Sequence, residues 1–109
     1  VDEPFDYPPL PTAVTGSTQA VPESFILGQN HPNPFNASTL IEYRLPQAGP
    51  ARIEIFNSRG QLVEVLVDRW HAVGSHTVAW DAGQRATGTY FYRFLTEGFQ
   101  QSRKMLLVR

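Results

Sequence analysis

Residues 30–36, which read Asn-His-Pro-Asn-Pro-Phe-Asn, constrain the fold of this chain more than any other segment. Each proline fixes φ, lacks a backbone N–H donor and disfavours the α conformation in the residue before it, so no helix passes through this segment. The asparagines tolerate turn conformations and bond to nearby backbone groups. The segment therefore predicts a rigid corner, with Phe35 pressed into the core beneath it. The other corner residues are Asn30, Pro32, Asn33, Pro34 and Asn36.

A β-strand pattern starts directly after this corner. Small or apolar side chains alternate with polar ones along residues 39–45, and the predicted buried face consists of Thr39, Ile41, Tyr43 and Leu45. Similar segments follow to the end of the chain, and none has the period of a helix. We expect strands at residues 25–27, 39–45, 51–55, 62–67, 76–80, 90–94 and 101–108, of which 62–67 fits either a core or an edge position. Seven short strands predict an all-β sandwich, with an up-and-down barrel as the alternative.

Local signals identify the turns between these strands and the side chains of the core. Residues 57–60 fit a type I turn in which Gly60 takes the left-handed conformation of a bulged hairpin. Asp81 is expected to accept backbone N–H bonds in the next turn, and His76 is expected on the core side of its strand. A buried Tyr90 or Tyr92 hydroxyl is expected to bond to a loop backbone. The predicted core, centred on Trp80, consists of Phe35, Ile41, Tyr43, Ile53, Ile55, Val63, Val78, Trp80, Tyr90, Tyr92 and Met105.

The corner and several later motifs together resemble a known family. The family signature Asn-aromatic-Pro-Asn-Pro-Phe-Asn-Pro-Ser-Thr corresponds to residues 30–39, with departures at His31, where Tyr is usual, and at Ala37, where Pro is usual. Other matching stretches contain Gly60, Trp80, Asp81, Gly88, Tyr90 and Tyr92. Over about residues 25–109 the chain thus resembles the type A C-terminal sorting domains of bacterial type IX secretion. These are small immunoglobulin-like sandwiches related to a domain of flagellar hook-capping proteins.

This resemblance implies an immunoglobulin-like antiparallel β-sandwich that acts as an export signal rather than as an enzyme. Such domains are read by the outer-membrane secretion translocon, so we expect a secreted or surface-held bacterial protein. The residues that carry over form the last strand, which contains Arg103, Lys104, Met105, Leu106, Leu107, Val108 and Arg109. The recognised part is expected to be the exposed face of this strand, in particular Arg103, Lys104 and Arg109.

Residues 1–23 differ from the rest in composition and lie outside this resemblance. They contain five of the nine prolines and four acids without any base, whereas residues 24–109 contain six acids and nine bases. Such a segment is either a linker or an arm that docks on this domain or on a neighbouring copy. A docking arm would use apolar anchors, namely Val1, Phe5, Tyr7 and Leu10. We therefore divide the chain into an acidic Pro-rich arm, residues 1–23, and a β domain, residues 24–109.

Composition and motifs give no support for chemistry at an active site. The chain has no cysteine, which excludes disulfides and thiolate metal sites, and its net charge of −1 favours neither nucleic acid nor anionic membranes as partners. The histidines His31, His71 and His76 lack a metal-ligand spacing, and we find no nucleophile motif or phosphate loop. We expect no cofactor and no catalysis. The alternative to sorting is a structural subunit that assembles with copies of itself into an extracellular filament or surface layer, because an extended arm can add to an open sheet edge.

Overall fold

A computed structural model of the chain describes residues 24–109, and these form seven β-strands. The predicted docking arm, with its anchors Val1, Phe5, Tyr7 and Leu10, lies outside the described residues. No helix that could cross a membrane is found in the described part of the chain. The strands are β1 (Ile26–Leu27), β2 (Ser38–Leu45), β3 (Gly49–Asn57), β4 (Leu62–His71), β5 (Gly74–Asp81), β6 (Gly88–Thr96) and β7 (Phe99–Leu107).

The strands form two antiparallel sheets that pack face to face. One sheet has the order β1-β2-β5 and the other the order β4-β3-β6-β7. A sandwich of three plus four strands is the immunoglobulin-like arrangement, so the predicted fold is confirmed. The barrel alternative is wrong, because each sheet keeps two edge strands: β1 and β5 in the first, β4 and β7 in the second.

Two local sequence features, the alternation along β2 and the turn between β3 and β4, form as predicted. Every second residue of β2 from Thr39 to Leu45 is buried, which confirms the predicted face. The turn between β3 and β4 is also confirmed, since Gly60 has a φ of 82° and its N–H donates to the Asn57 carbonyl at 2.9 Å. The Asn57 side chain accepts the N–H groups of Arg59 and Gln61 at 2.9 and 3.0 Å. This turn therefore fixes the β3–β4 hairpin by side-chain as well as backbone bonds.

The core between the sheets contains most of the predicted side chains, with Trp80 among the largest that are fully buried. Its indole contacts the rings of Phe35 and Tyr90, with centroid distances of 5.8 and 5.5 Å. Val63 and Val78 are only half-buried, because they lie on the edge strands β4 and β5. The core also contains Leu45 of the predicted β2 face and five residues that were not predicted to be part of it: Leu27, Ala51, Ala82, Phe94 and Leu107.

On the outer face of the four-stranded sheet, the nearly buried carboxylate of Glu54 on β3 is bonded by arginines of β3 and β6. Arg52 Nε donates to one oxygen of Glu54 at 2.8 Å, and Arg93 donates to the other at 2.7 Å. Burial pushes the pKa of Glu54 upward, but the hydrogen bonds from both guanidinium groups outweigh it and leave the pKa lowered. The Arg93 guanidinium also lies 5.0 Å from the centre of the Phe56 ring. The network lies in the cross-strand row that runs from Val65 on β4 to Ser102 on β7.

Candidate functional site

The final strand, to which the resemblance assigns recognition, has two different faces. Met105 and Leu107 are buried in the core, whereas Lys104, Leu106 and Val108 point outward and are exposed. This follows from the two-residue period of a strand whose inner face packs against the opposite sheet. Within residues 104–108 the outward side chains are therefore one cation and two aliphatic groups, and we call these three residues the outward triad.

The corner predicted from the asparagines and prolines binds the backbone edge of this strand. Phe35 donates its N–H to the Leu106 carbonyl and accepts the N–H of Val108, both at 2.9 Å. The Asn33 side-chain oxygen accepts the N–H of Leu106 at 3.0 Å. Gln29 donates its side-chain amide to the Lys104 carbonyl at 2.9 Å. The edge of β7 is thus closed along residues 104–108, where the Lys104 carbonyl, the Leu106 N–H and carbonyl and the Val108 N–H already have partners.

A small set of buried polar bonds holds the corner in this position. Asn30 is buried, and its side-chain amide donates to the Pro32 carbonyl at 3.1 Å and to the Thr39 hydroxyl at 3.0 Å. That hydroxyl donates in turn to the Pro32 carbonyl at 2.9 Å. The backbone N–H of Asn30 donates to the Tyr92 hydroxyl at 2.7 Å. Asn30, the first residue of the signature, therefore connects the corner to β2 and β6.

Tyrosine hydroxyls tie the core to loop backbone, as expected. Tyr92 donates its hydroxyl to the Gly28 carbonyl at 2.6 Å, and burial raises its pKa to about 12. Tyr90 donates to the Ala86 carbonyl at 2.7 Å. The two hydroxyls thus fix the loop between β1 and β2 and the loop between β5 and β6. Because the phenol of Tyr92 stays protonated, it remains a donor to Gly28 throughout the physiological pH range.

Phe35 fills the space beneath the corner, as predicted. Its side chain is 1% exposed, its backbone forms a parallel bridge with Leu107, and its ring lies against Trp80. The Trp80 indole N–H donates to Glu64 on β4 at 3.0 Å. A chain of contacts therefore crosses the sandwich from the final strand to the opposite edge.

Two of the three cations expected to mark the recognised face are engaged with the protein itself. Arg103, predicted to be exposed, is half-buried, and its Nε donates to the Leu27 carbonyl at 2.6 Å. It lies on the inward side of β7, in line with Met105 and Leu107, which is why the exposure prediction is wrong. Arg109 is exposed, but its guanidinium donates to the carbonyls of Gly83 and Arg85. Lys104 is the predicted cation that lies in the outward triad.

The remaining motif residues have structural positions. Asp81 accepts the N–H of Gly83 at 2.9 Å, which confirms the predicted turn cap. Gly88 has a φ of 149°, a value that favours glycine, and it begins β6 opposite Leu107. Pro32, Pro34 and Asn36 lie exposed in the corner. None of these residues is part of the outward triad, and Gly88 pairs directly with the strand that carries it.

Sequence reasoning missed a second polar cluster, which lies where β4 meets β5. The rings of His71 and His76 are 4.8 Å apart, and His76 stacks on Tyr43 at 5.6 Å from the core side of β5. His71 Nδ1 bonds to the Arg69 carbonyl at 2.9 Å and therefore carries the proton, so Nε2 accepts from the Tyr43 hydroxyl at 2.7 Å. Burial lowers the pKa of His71 and raises that of Tyr43.

This cluster could have been found only by knowing the pairing of the strands. His71 ends β4 in one sheet, and Tyr43 lies on β2 in the other. Within residues 24–109 no three His, Asp or Glu side chains lie close enough together to hold a metal ion. The arrangement thus links the two sheets through a neutral, hydrogen-bonded imidazole.

The comparison with protein families adds an independent finding. A family model described as a secretion system C-terminal sorting domain matches residues 30–108. The match begins at Asn30 of the corner and includes all three residues of the outward triad. No curated protein matches the chain.

Proposed function

We propose that the β domain is a non-catalytic export signal, because the chain belongs to the family of secretion system C-terminal sorting domains. In this proposal, the outer-membrane translocon of type IX secretion recognises the signal by the outward triad. Membership of the family gives the domain a role in export out of the bacterial cell. The proposal adds two finer points. The translocon contacts the outward triad, and translocation ends in attachment at the cell surface.

The closed edge of β7 is the observation that carries this proposal. A partner that added a strand to β7 at residues 104–108 would need free backbone groups there, but the Leu106 N–H and carbonyl and the Val108 N–H are bonded to the corner. Recognition at this position must therefore use side chains. Lys104, Leu106 and Val108 are the side chains that β7 and its extension present outward between residues 104 and 108.

The chemistry of the outward triad indicates the kind of surface that would bind it. Leu106 and Val108 offer aliphatic area, and Lys104 lies directly across from Phe91 on β6, which is also exposed. A complementary site on the translocon would pair an apolar pocket with an acidic group beside it. Burial of the exposed parts of the two aliphatic side chains would contribute about 1–2 kcal/mol in total, enough to favour one strand over another.

An export assay tests the proposal with a matched control on the same sheet. The full chain is fused behind a signal peptide and a fluorescent reporter in a bacterium with type IX secretion. Leu106→Ser with Val108→Ser removes side chains that are 39% and 37% exposed, and the control Leu62→Ser with Val65→Ser removes side chains that are 51% and 36% exposed. We expect the first double variant to leave the reporter in the periplasm and the control to reach the surface.

The stability of both variants separates recognition from folding. All four side chains are exposed, so both double variants should melt close to the parent. If the Leu106 and Val108 variant folds and is exported as well as the parent, the outward triad is not what the translocon reads. If both double variants are retained equally, export depends on the whole outer face and the proposal is also wrong.

Self-assembly is the second candidate function, and the long edge strand β4 is the observation that favours it. β4 has ten residues and exposes Leu62 and Val65, features that invite pairing with another chain. The predicted arm anchors lie outside the described residues, so their docking on a neighbouring copy stays a proposal. Light scattering of the full chain over a range of concentrations tests it: growth of assemblies that Val65→Lys abolishes would support this candidate, and monomers throughout would reject it.

A further inference from the structure

Trp70 is the most exposed large apolar side chain in the described part of the chain. It is 67% exposed, whereas Trp80 is 1% exposed. Trp70 lies near the end of β4, opposite Pro50 of β3, on the outer face of the four-stranded sheet. Val73, in the hairpin that follows, is exposed as well. An indole in this position presents a flat apolar surface together with an N–H donor.

The chain that precedes Ser24 reaches the described domain at the same end of the sandwich. Ile26 pairs with Arg44 and Leu27 with Tyr43, so residues before Ile26 continue past Leu45, the last residue of β2. The turn from Leu45 to Gly49 and the hairpin from His71 to Gly74 close this end. Phe25 stacks on Phe99 at 5.2 Å and fixes the direction of the chain there.

The distance from this point to Trp70 is short compared with the length of the arm. Crossing from the β1 side of one sheet to β4 of the other requires about 20 Å, given the usual spacing of strands and packed sheets. About six extended residues cover that distance. The polar segment 15–23 is long enough to bring residues 4–11 onto Trp70 of the same chain.

The composition of residues 4–11 fits an aromatic surface next to a cation. The stretch reads Pro-Phe-Asp-Tyr-Pro-Pro-Leu-Pro. Proline-rich segments bind grooves lined by aromatic rings, because the polyproline conformation loses little entropy on docking. Asp6 within the stretch, with Asp2 and Glu3 before it, would lie near Arg69, whose guanidinium donates to the carbonyl of Trp70 at 3.3 Å.

We propose that residues 4–11 dock on Trp70 of their own chain, with the prolines against the indole and the acids beside Arg69. This interaction goes beyond export recognition, because Trp70 lies on β4 and the outward triad lies on and just beyond β7. Its consequence is that the arm covers the end of the open edge strand and competes with any other chain for that edge.

The two tryptophans allow a direct test by NMR of the indole N–H groups in the full chain. Trp70→Phe assigns the two signals, and Trp80, bonded to Glu64, is the internal reference. Replacing Phe5, Tyr7 and Leu10 with Ser should move the Trp70 signal towards that of a free indole and make Trp70 more accessible to acrylamide. A control with Thr15, Ser17 and Thr18 changed to Ala should leave both signals in place.

Each outcome decides the proposal. A Trp70 signal that is the same in the arm variant, the control and the parent would overturn it. A Trp70 signal that differs from the free indole at high concentration but returns to it on dilution would overturn docking within one chain and favour docking between copies. Movement of the Trp70 signal at all concentrations, with the Trp80 signal unchanged, is the expected result. An export defect of the outward triad leaves this result unaffected, so the two proposals fail independently.

Discussion

The two long sides of the sandwich differ in whether the backbone at the sheet edge has hydrogen-bond partners. On the closed side, Gln29 and the corner residues Asn33 and Phe35 supply backbone and side-chain partners to β7 between Lys104 and Val108. On the open side, no strand of residues 24–109 pairs with the free edge of β4. Closure of an edge thus depends on specific bonds from a distant segment, whereas an open edge needs only features that discourage pairing.

The open side shows such features. The pairing of β3 with β4 shifts register between Ile53 and Glu54 and again between Ile55 and Phe56. Such irregularities twist an edge strand away from a flat template, and charged side chains on it oppose the approach of another chain. β4 carries Glu64, Asp68 and Arg69. The rigid side therefore presents the triad proposed for recognition, whereas the side with an unpaired edge is available for other contacts.

Truncating the side chain beneath the corner should give the largest effect. Phe35→Ala leaves a cavity between the corner and Trp80, and we expect a loss of about 3–5 kcal/mol in the free energy of unfolding. The matched change on the open side, Val65→Ala, should cost no more than about 0.5 kcal/mol. Chemical denaturation of both variants measures the difference. Similar losses in both would mean that the two sides do not differ in the way described.

The features predictable from sequence are those that depend on neighbours in the chain. The alternation from Thr39 to Leu45, the plug formed by Phe35 and the turn ending at Gly60 all follow from local sterics and periodicity. The bond from Leu106 to Asn33 joins residues 73 positions apart, and no local pattern specifies it. It exists because the corner and the last strand are both placed by the core between them.

Two wrong or missing predictions have the same cause. Arg103 was expected on the exposed face of the last strand, yet its guanidinium donates to the Leu27 carbonyl because β1 ends beside β7. The strand expected at residues 62–67 is longer in the structure, because pairing with β3 extends β4 to His71. Tertiary contacts therefore decided both cases, and they brought His71 to Tyr43 and His76 without any spacing signal in the sequence.

Acid should weaken the open side through His71. Burial lowers the pKa of His71 in the folded chain below its reference value of 6.5, so the unfolded chain binds the proton more strongly. Stability attributable to His71 is fully present above pH 6.5 and is lost as the pH falls below it, with a slope of at most about 1.4 kcal/mol per pH unit. Denaturation between pH 7.5 and 5.5 measures this slope.

Two variants identify the histidine responsible. His71→Gln should remove the slope in this pH window, although it also lowers stability at pH 7.5 by disturbing the bond to Tyr43. His31→Gln, at an exposed position of the corner, should keep it. A slope that persists in His71→Gln and disappears in His31→Gln would place the acid-sensitive group on the closed side instead.

Hydrogen exchange of single amides in the full chain tests the closed side most directly. The N–H groups of Leu106 and Val108 point away from β6 and donate to Asn33 and Phe35, respectively. Because N–H groups alternate in direction along a strand, the Ser102 N–H points the same way, but it has no partner among residues 24–109. We predict slow exchange at Leu106 and Val108 and fast exchange at Ser102. In Asn33→Ala, Leu106 should lose its protection while Val108 keeps it, and the control Asn36→Ala should change neither. Exchange at Leu106 and Val108 as fast as at Ser102 would contradict the closure of this edge.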